Sequence, residues 1–196
     1  MSASVAAQVT AGAVAVLGAA APPVIVTATV GTGRFNDTRG VIEIDPQVLT
    51  WPAECQRFIG AHEAAHVRQK PMSRRPVIGA LTVIFGLYLA ALAAGAIRVG
   101  FADQLSVWAI EATCYTALSL TALLQVVTWN SRRREYRADR VAVAAVGVAG
   151  LIQWRRIAEQ DLTTLQRAML AANAAAGLRT HPSWRRRVAA AIRCSL

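Results

Sequence analysis

Phe58-Ile-Gly-Ala-His62-Glu63-Ala-Ala-His66-Val-Arg-Gln-Lys70 is the stretch around which the rest of the chain is arranged. On a helix, residues four apart share a face, so the imidazoles of His62 and His66 can grip one cation. Glu63 stands beside a ligand without being one. Two neutral nitrogen ligands and a neighbouring base are what a zinc hydrolase needs. Taken alone, the same five residues also describe an ordinary helix with two surface histidines. Two facts add weight to the metal reading: the chain holds only three histidines, and the third, His181, lies in a second stretch of active-site character.

The composition narrows the setting. The chain has 196 residues, an apolar fraction of 55% and a formal charge of +10, with a mean hydropathy of +0.38. Such a length suits one modest domain plus a membrane anchor. A basic balance points either to nucleic acid or to an anionic membrane surface. The arginines cluster beside long apolar runs, and no aromatic residues are interleaved with them as a nucleic-acid platform requires. A lipid bilayer is therefore the expected partner, and nucleic acid is not. Cys55, Cys114 and Cys194 are far apart and odd in number, which implies no disulfide framework and a reducing compartment.

Outward from the motif, Met1–Ala21 reads as a helix. Its Ala- and Gly-rich composition, with Gln8 and Thr10, favours a buried helix of the domain over a third span. No basic residue precedes Arg34 to form the n-region of a secretory signal. Pro22-Pro23 stop that helix. Val24–Val30 and Gly40–Asp45 read as two strands of a small hairpin, with turn signals at Gly31–Gly33 and Asn36-Asp37. A strand edge beside a metal site can hold a peptide by strand addition; a hairpin that only closes the core fits the same residues.

Val77–Ile97 is an uncharged apolar run of 21 residues, about 32 Å as a helix, enough to cross a bilayer. Gln104–Trp129 is a second apolar stretch, charged only at Glu111. With a short turn between them they make a transmembrane hairpin. Arg68, Lys70, Arg74 and Arg75 precede it, and Arg132, Arg133, Arg134 and Arg137 follow. The positive-inside rule then places both flanks in the cytoplasm, under a bacterial-type plasma membrane. Trp108 and Trp129 read as interfacial anchors. The expected divisions are 1–76, a first catalytic half with the β-hairpin and zinc helix; 77–129, the membrane hairpin; and 130–196, a second catalytic half. Gly147 and Gly150 read as helix breaks, Leu151–Ala176 as core packing, and Ser183 as the N-cap of a last helix from Trp184.

A catalytic zinc takes three protein ligands, so one more is required. Glu135, in Glu135-Tyr-Arg-Ala-Asp139, is the best candidate. Asp139, four residues on, can hydrogen-bond a ligating imidazole. The same acids also suit a solvated face that balances Arg132–Arg134.

His62-Glu63-x-x-His66, the apolar hairpin, Glu135-x-x-Ala-Asp139 and Thr180-His-Pro-Ser-x-x-x-Arg187 occur in that order. In this the chain resembles the HtpX-type membrane zinc metalloproteases, the gluzincin family that also contains the CAAX prenyl protease. The resemblance spans roughly residues 20–190. It implies a mainly α fold with a small β-hairpin or sheet, a zincin-like domain interrupted by two transmembrane helices. It also implies that His62, His66 and Glu135 bind Zn2+, that Glu63 is the general base, and that Asp139 supports a ligand from behind. His181 would steady the oxyanion, and Arg187 would support the site. The expected activity is endopeptidase cleavage of membrane-associated or misfolded proteins; the alternative is an inactive zinc-binding scaffold or adaptor. The segment before the zinc helix is short where such members carry two further spans. Natural substrate and oligomeric state are left open.

Overall fold

The computed structural model describes residues 3–28, 32–69, 79, 81–90, 105–160, 163, 166, 168–169, 171–172 and 182–193. Helix α1 (Ala3–Leu17) leads into a short 3-10 turn, Gly18–Ala20. Strands β1 (Val24–Val26), β2 (Gly33–Asn36) and β3 (Val41–Ile44) follow. After a second 3-10 turn, Pro46–Thr50, come α2 (Ala53–Arg68), α3 (Leu105–Val146), α4 (Ala149–Gln160) and α5 (Trp184–Ile192). The fold is mainly helical with one small sheet.

Helix α2 lies at the centre, with α1, α3, α4 and the sheet packed against it. Two glycines permit the closest approach. A Cβ on Gly60 would meet the Val9 carbonyl oxygen of α1 at 1.9 Å, and one on Gly12 would meet the Arg57 carbonyl oxygen of α2 at 1.9 Å. Only hydrogen at those positions lets the two backbones touch. Val9, Ala13 and Val16 of α1 are buried in the core with Phe58, Ile59 and Ala61 of α2. The apolar N-terminal residues thus form a core helix of this domain, because that surface is covered by protein.

The sheet differs from a two-stranded hairpin. Its order is β1-β3-β2, with β1 parallel and β2 antiparallel to β3. Residues read from sequence as a turn supply β2, and the true hairpin is β2–β3. The cause lies in the side chains of β3. Ile42 and Ile44 are fully buried toward the core, while Glu43 projects to the other face and holds β2 in register. Arg34 Nε donates to Glu43 Oε2 at 2.6 Å, Asn36 Nδ2 donates to Oε1 at 2.9 Å, and Arg39 Nη1 does so at 3.4 Å. Gly40, at φ +64°, closes the turn.

Gly147 does break the helical run, at φ +85° between α3 and α4. Gly150 does not; it sits within α4, where a Cβ would meet Phe58 Cβ at 2.5 Å. Ser183 occupies the N-cap of α5 but makes no side-chain capping bond.

Among the described residues no helix is long and apolar enough to cross a membrane, and the transmembrane hairpin gains no support from them. Most of the expected first span, 77–97, lies outside the described residues. The expected second span is the outer part of α3, which continues without a break past Trp129 to Val146. Glu111, Gln125 and several Thr and Ser residues dilute its hydropathy. Its apolar side chains are nonetheless exposed: Leu118 at 68%, Leu120 at 56%, and Leu124, Val126 and Trp129 beside them. Residues 81–90 are helical and equally bare, with Val83, Phe85, Leu87 and Leu89 exposed.

Candidate metal and catalytic site

Helix α2 buries His62 and Glu63 and leaves His66 partly exposed. The helical repeat brings the two imidazoles together edge to face, with their Nε2 atoms 3.2 Å apart. Helix α3 crosses α2 so that Glu135 faces both rings. Its Oε2 lies 3.5 Å from His62 Nε2, and its Oε1 lies 3.6 Å from His66 Nε2. A tetrahedral zinc with bonds of ~2.0–2.1 Å to nitrogen and oxygen spaces its ligand atoms about 3.3–3.4 Å apart. The three residues therefore fit a metal in donor type and in spacing.

A ring of supporting groups holds these side chains. His62 Nδ1 lies 3.0 Å from Asp139 Oδ1, one turn beyond Glu135, although off the line of a straight hydrogen bond. Asp139 is 1% exposed and is gripped from behind. Arg187 of α5 donates from Nε to Oδ2 at 2.7 Å and from Nη2 to Oδ1 at 2.6 Å. The same Nη2 lies 3.7 Å from Glu135 Oε2. This guanidinium is itself buried, its carbon 4.9 Å from the ring centre of Trp154 and 4.5 Å from that of Trp184. Trp154 also meets His62 edge to face. His66 is braced separately: Gln69 Oε1 lies 3.4 Å from its Nδ1, accepts from Arg134 Nε at 3.3 Å, and Gln69 Nε2 donates to the Arg134 carbonyl at 3.0 Å. Gln69 thus ties the end of α2 to α3.

The acids set the proton affinities. Burial alone would lower His62, but Asp139 and Glu135, then Glu63, outweigh it and push the ring up to about 9. Burial, with His62 adding to it, brings His66 down to about 4. Burial also raises the Glu63 carboxyl; Glu135 adds to the rise, while His62 and the backbone N–H of Phe35 oppose it. Asp139 is held below the usual carboxylate range: burial works against ionisation, and Arg187 and His62 overcome it. Glu63 is therefore a carboxyl with raised proton affinity, beside the imidazoles and next to strand β2.

The structure brings His62, Glu63, His66, Glu135, Asp139 and Arg187 into one cluster. His181 lies outside the described residues. Sequence reading treated α4 as core packing and so missed Trp154. It also missed Trp184 and Gln69. Two signals were present: Trp184 and Arg187 stand three apart on α5, as His66 and Gln69 do at the end of α2, which places each pair on one face.

The family model described as peptidase family M48 matches residues 52–194. No curated protein and no solved structure matches the chain. The matched span includes every residue of the cluster, and the chain belongs to peptidase family M48, which implies a metallopeptidase.

Proposed function

We propose that this family member is an HtpX-type, membrane-bound zinc endopeptidase that cleaves membrane-associated or misfolded proteins at the cytoplasmic face. The observation that carries the chemistry is the triangle of His62, His66 and Glu135 donor atoms, with edges of 3.2, 3.5 and 3.6 Å. These residues hold the metal. When bound, zinc supplies Lewis-acid polarisation of the scissile carbonyl and acidifies a water to a pKa of about 7. Glu63 takes the proton of the attacking water on its carboxylate and delivers it to the departing amine, a role its raised affinity suits. Asp139 orients His62 through Nδ1, and Arg187 fixes Asp139. By resemblance to the family, His181 donates to the developing oxyanion.

Strand β2 offers the substrate a place. The Thr32 carbonyl accepts from Asp45 N–H on the β3 side. Strand alternation then turns the backbone groups of Gly33 and Phe35 away from β3, where the Phe35 N–H reaches Glu63. A peptide added there in extended form lies against the base.

Membrane attachment is supported by the bare apolar helices at 81–90 and 113–126 and by the arginines that follow Trp129. Trp129 stands six residues before Glu135, about 9 Å along the helix, so the site lies close under the bilayer. The deciding experiment is zinc content and casein or peptide cleavage by the wild type and Glu63→Gln. Cleavage lost with zinc retained supports the enzyme; equal cleavage by both proteins, or none by either, rejects it. Release of the chain from membranes by alkaline carbonate would reject the attachment alone.

A further inference from the structure

On the side of α3 and α5 turned away from the metal cluster lies an open groove of about 820 Å³. Arg133, Arg137 and Arg140 descend one face of α3 at helical spacing, and Arg185 and Arg186 of α5, with Arg193 just past its end, line the other side. Among the described residues, Tyr136 and the small Ala189 and Ala190 complete the lining, and none of them brings a carboxylate. Three arginines elsewhere meet acids: Arg34 with Glu43, Arg155 with Glu159, Arg187 with Asp139. Here, among the described residues, Arg137, Arg185, Arg186 and Arg193 have no acid partner. Six like charges around one concavity repel one another, and the concave shape concentrates their field. An anion in the groove removes that repulsion, and guanidinium forks match the paired oxygens of a phosphate.

We propose that this groove binds the phosphate of an anionic phospholipid headgroup. Its place on α3 selects that source. Arg133 begins the groove and lies 4.5 Å over the ring of exposed Trp129. Immediately before Trp129 come the bare Leu118, Leu120, Leu124 and Val126. From Trp129 to Arg133 is four residues, about 6 Å along the helix, which is headgroup depth for a helix whose preceding turns face acyl chains, and the groove runs on from there. Among the described residues Tyr136 is the one aromatic in the lining, short of the row of rings on which successive bases stack. The assignment takes its lipid source from the membrane reading above and is independent of the catalytic one.

The test uses the full chain in neutral detergent. Native mass spectrometry and thermal melting are followed as dihexanoyl phosphatidylglycerol, dihexanoyl phosphatidylcholine, inorganic phosphate or an RNA oligonucleotide is titrated in. A basic residue near an anionic surface contributes about fivefold in affinity, so R137Q/R186Q/R193Q together should weaken phosphatidylglycerol binding roughly a hundredfold. Phosphatidylcholine should bind neither protein. Equal binding of the two lipids, or an undiminished triple variant, overturns the proposal. So does inorganic phosphate bound as tightly as the lipid, which assigns the groove to a free anion, or RNA bound more tightly, which assigns it to nucleic acid. If the triple variant does not melt cooperatively, the three single variants replace it, each expected about fivefold weaker. Glu63→Gln should bind the lipid as the wild type does, so failure of hydrolysis and failure of the groove are read separately.

Discussion

Between residues 113 and 126, α3 exposes nearly every side chain, leucines and valine included; between 135 and 143 the same helix buries Glu135, Ala138, Asp139, Ala142 and Val143. In water the preference runs the other way, with acids outside and large apolar groups inside. Helical geometry does not change along α3, so the neighbours account for the reversal. The inner acids are buried because imidazoles and Arg187 satisfy them; the outer leucines meet no protein cover among the described residues. One continuous helix thus serves two surroundings, one built by the protein for a cation and one left for something apolar.

The strongest way to break this contrast is at the inner acids. Glu135→Ala should abolish zinc binding and with it cleavage, read by metal analysis beside a peptide assay. Glu63→Gln should lower turnover by about 10²–10⁴ while zinc is retained. Next in size is Arg187→Ala, which strands the Asp139 carboxylate in the interior and should cost about 3–5 kcal/mol, measured by denaturant unfolding. Arg187→Lys should not restore this, since an ammonium cannot reproduce the two parallel bonds to Asp139. Gly60→Ala pushes a methyl group into the Val9 carbonyl and should cost about 1–3 kcal/mol, with α1 displaced.

A pH test sharpens the picture away from the metal. Glu43 is held below its ordinary value of 4.5, first by the hydrogen bond from Arg34 and then by that from Asn36. Its contribution to stability is therefore complete above 4.5 and is lost as pH falls through the lower folded value. Glu43→Gln should flatten this acid-side loss, seen as converging melting temperatures of the two proteins at low pH. The smallest effect belongs to the outer stretch. Leu120→Ala in detergent should change unfolding free energy by within about 0.5 kcal/mol, because among the described residues that side chain is 56% exposed. A large loss there would show that protein covers the helix.

Residues whose chemistry is set by spacing along one helix were legible from sequence. His62, Glu63 and His66 form one such set, and Glu135 with Asp139 another; the structure places all five together. Arg187 was legible only as part of a motif, since its partner stands 48 positions away. Trp154 carried no such mark, because an indole meeting a guanidinium from another helix is a product of packing. The sheet shows the same boundary. Val24–Val26 and Val41–Ile44 were readable as strands from β-branched and alternating residues. The short polar Arg34-Phe35-Asn36 was not, because its place in the sheet comes from Glu43 opposite. The expected second span ended at Trp129, where composition changes; backbone hydrogen bonding ignores composition, and the helix runs on to Val146.

The indoles of Trp154 and Trp184 stand 4.9 Å apart around the Arg187 cation, and the first of them also touches His62. Emission from such rings responds to nearby charge. The protein therefore carries its own optical gauge of whether the ligand cradle is assembled, one that needs neither label nor substrate and can be followed while metal is added or stripped away.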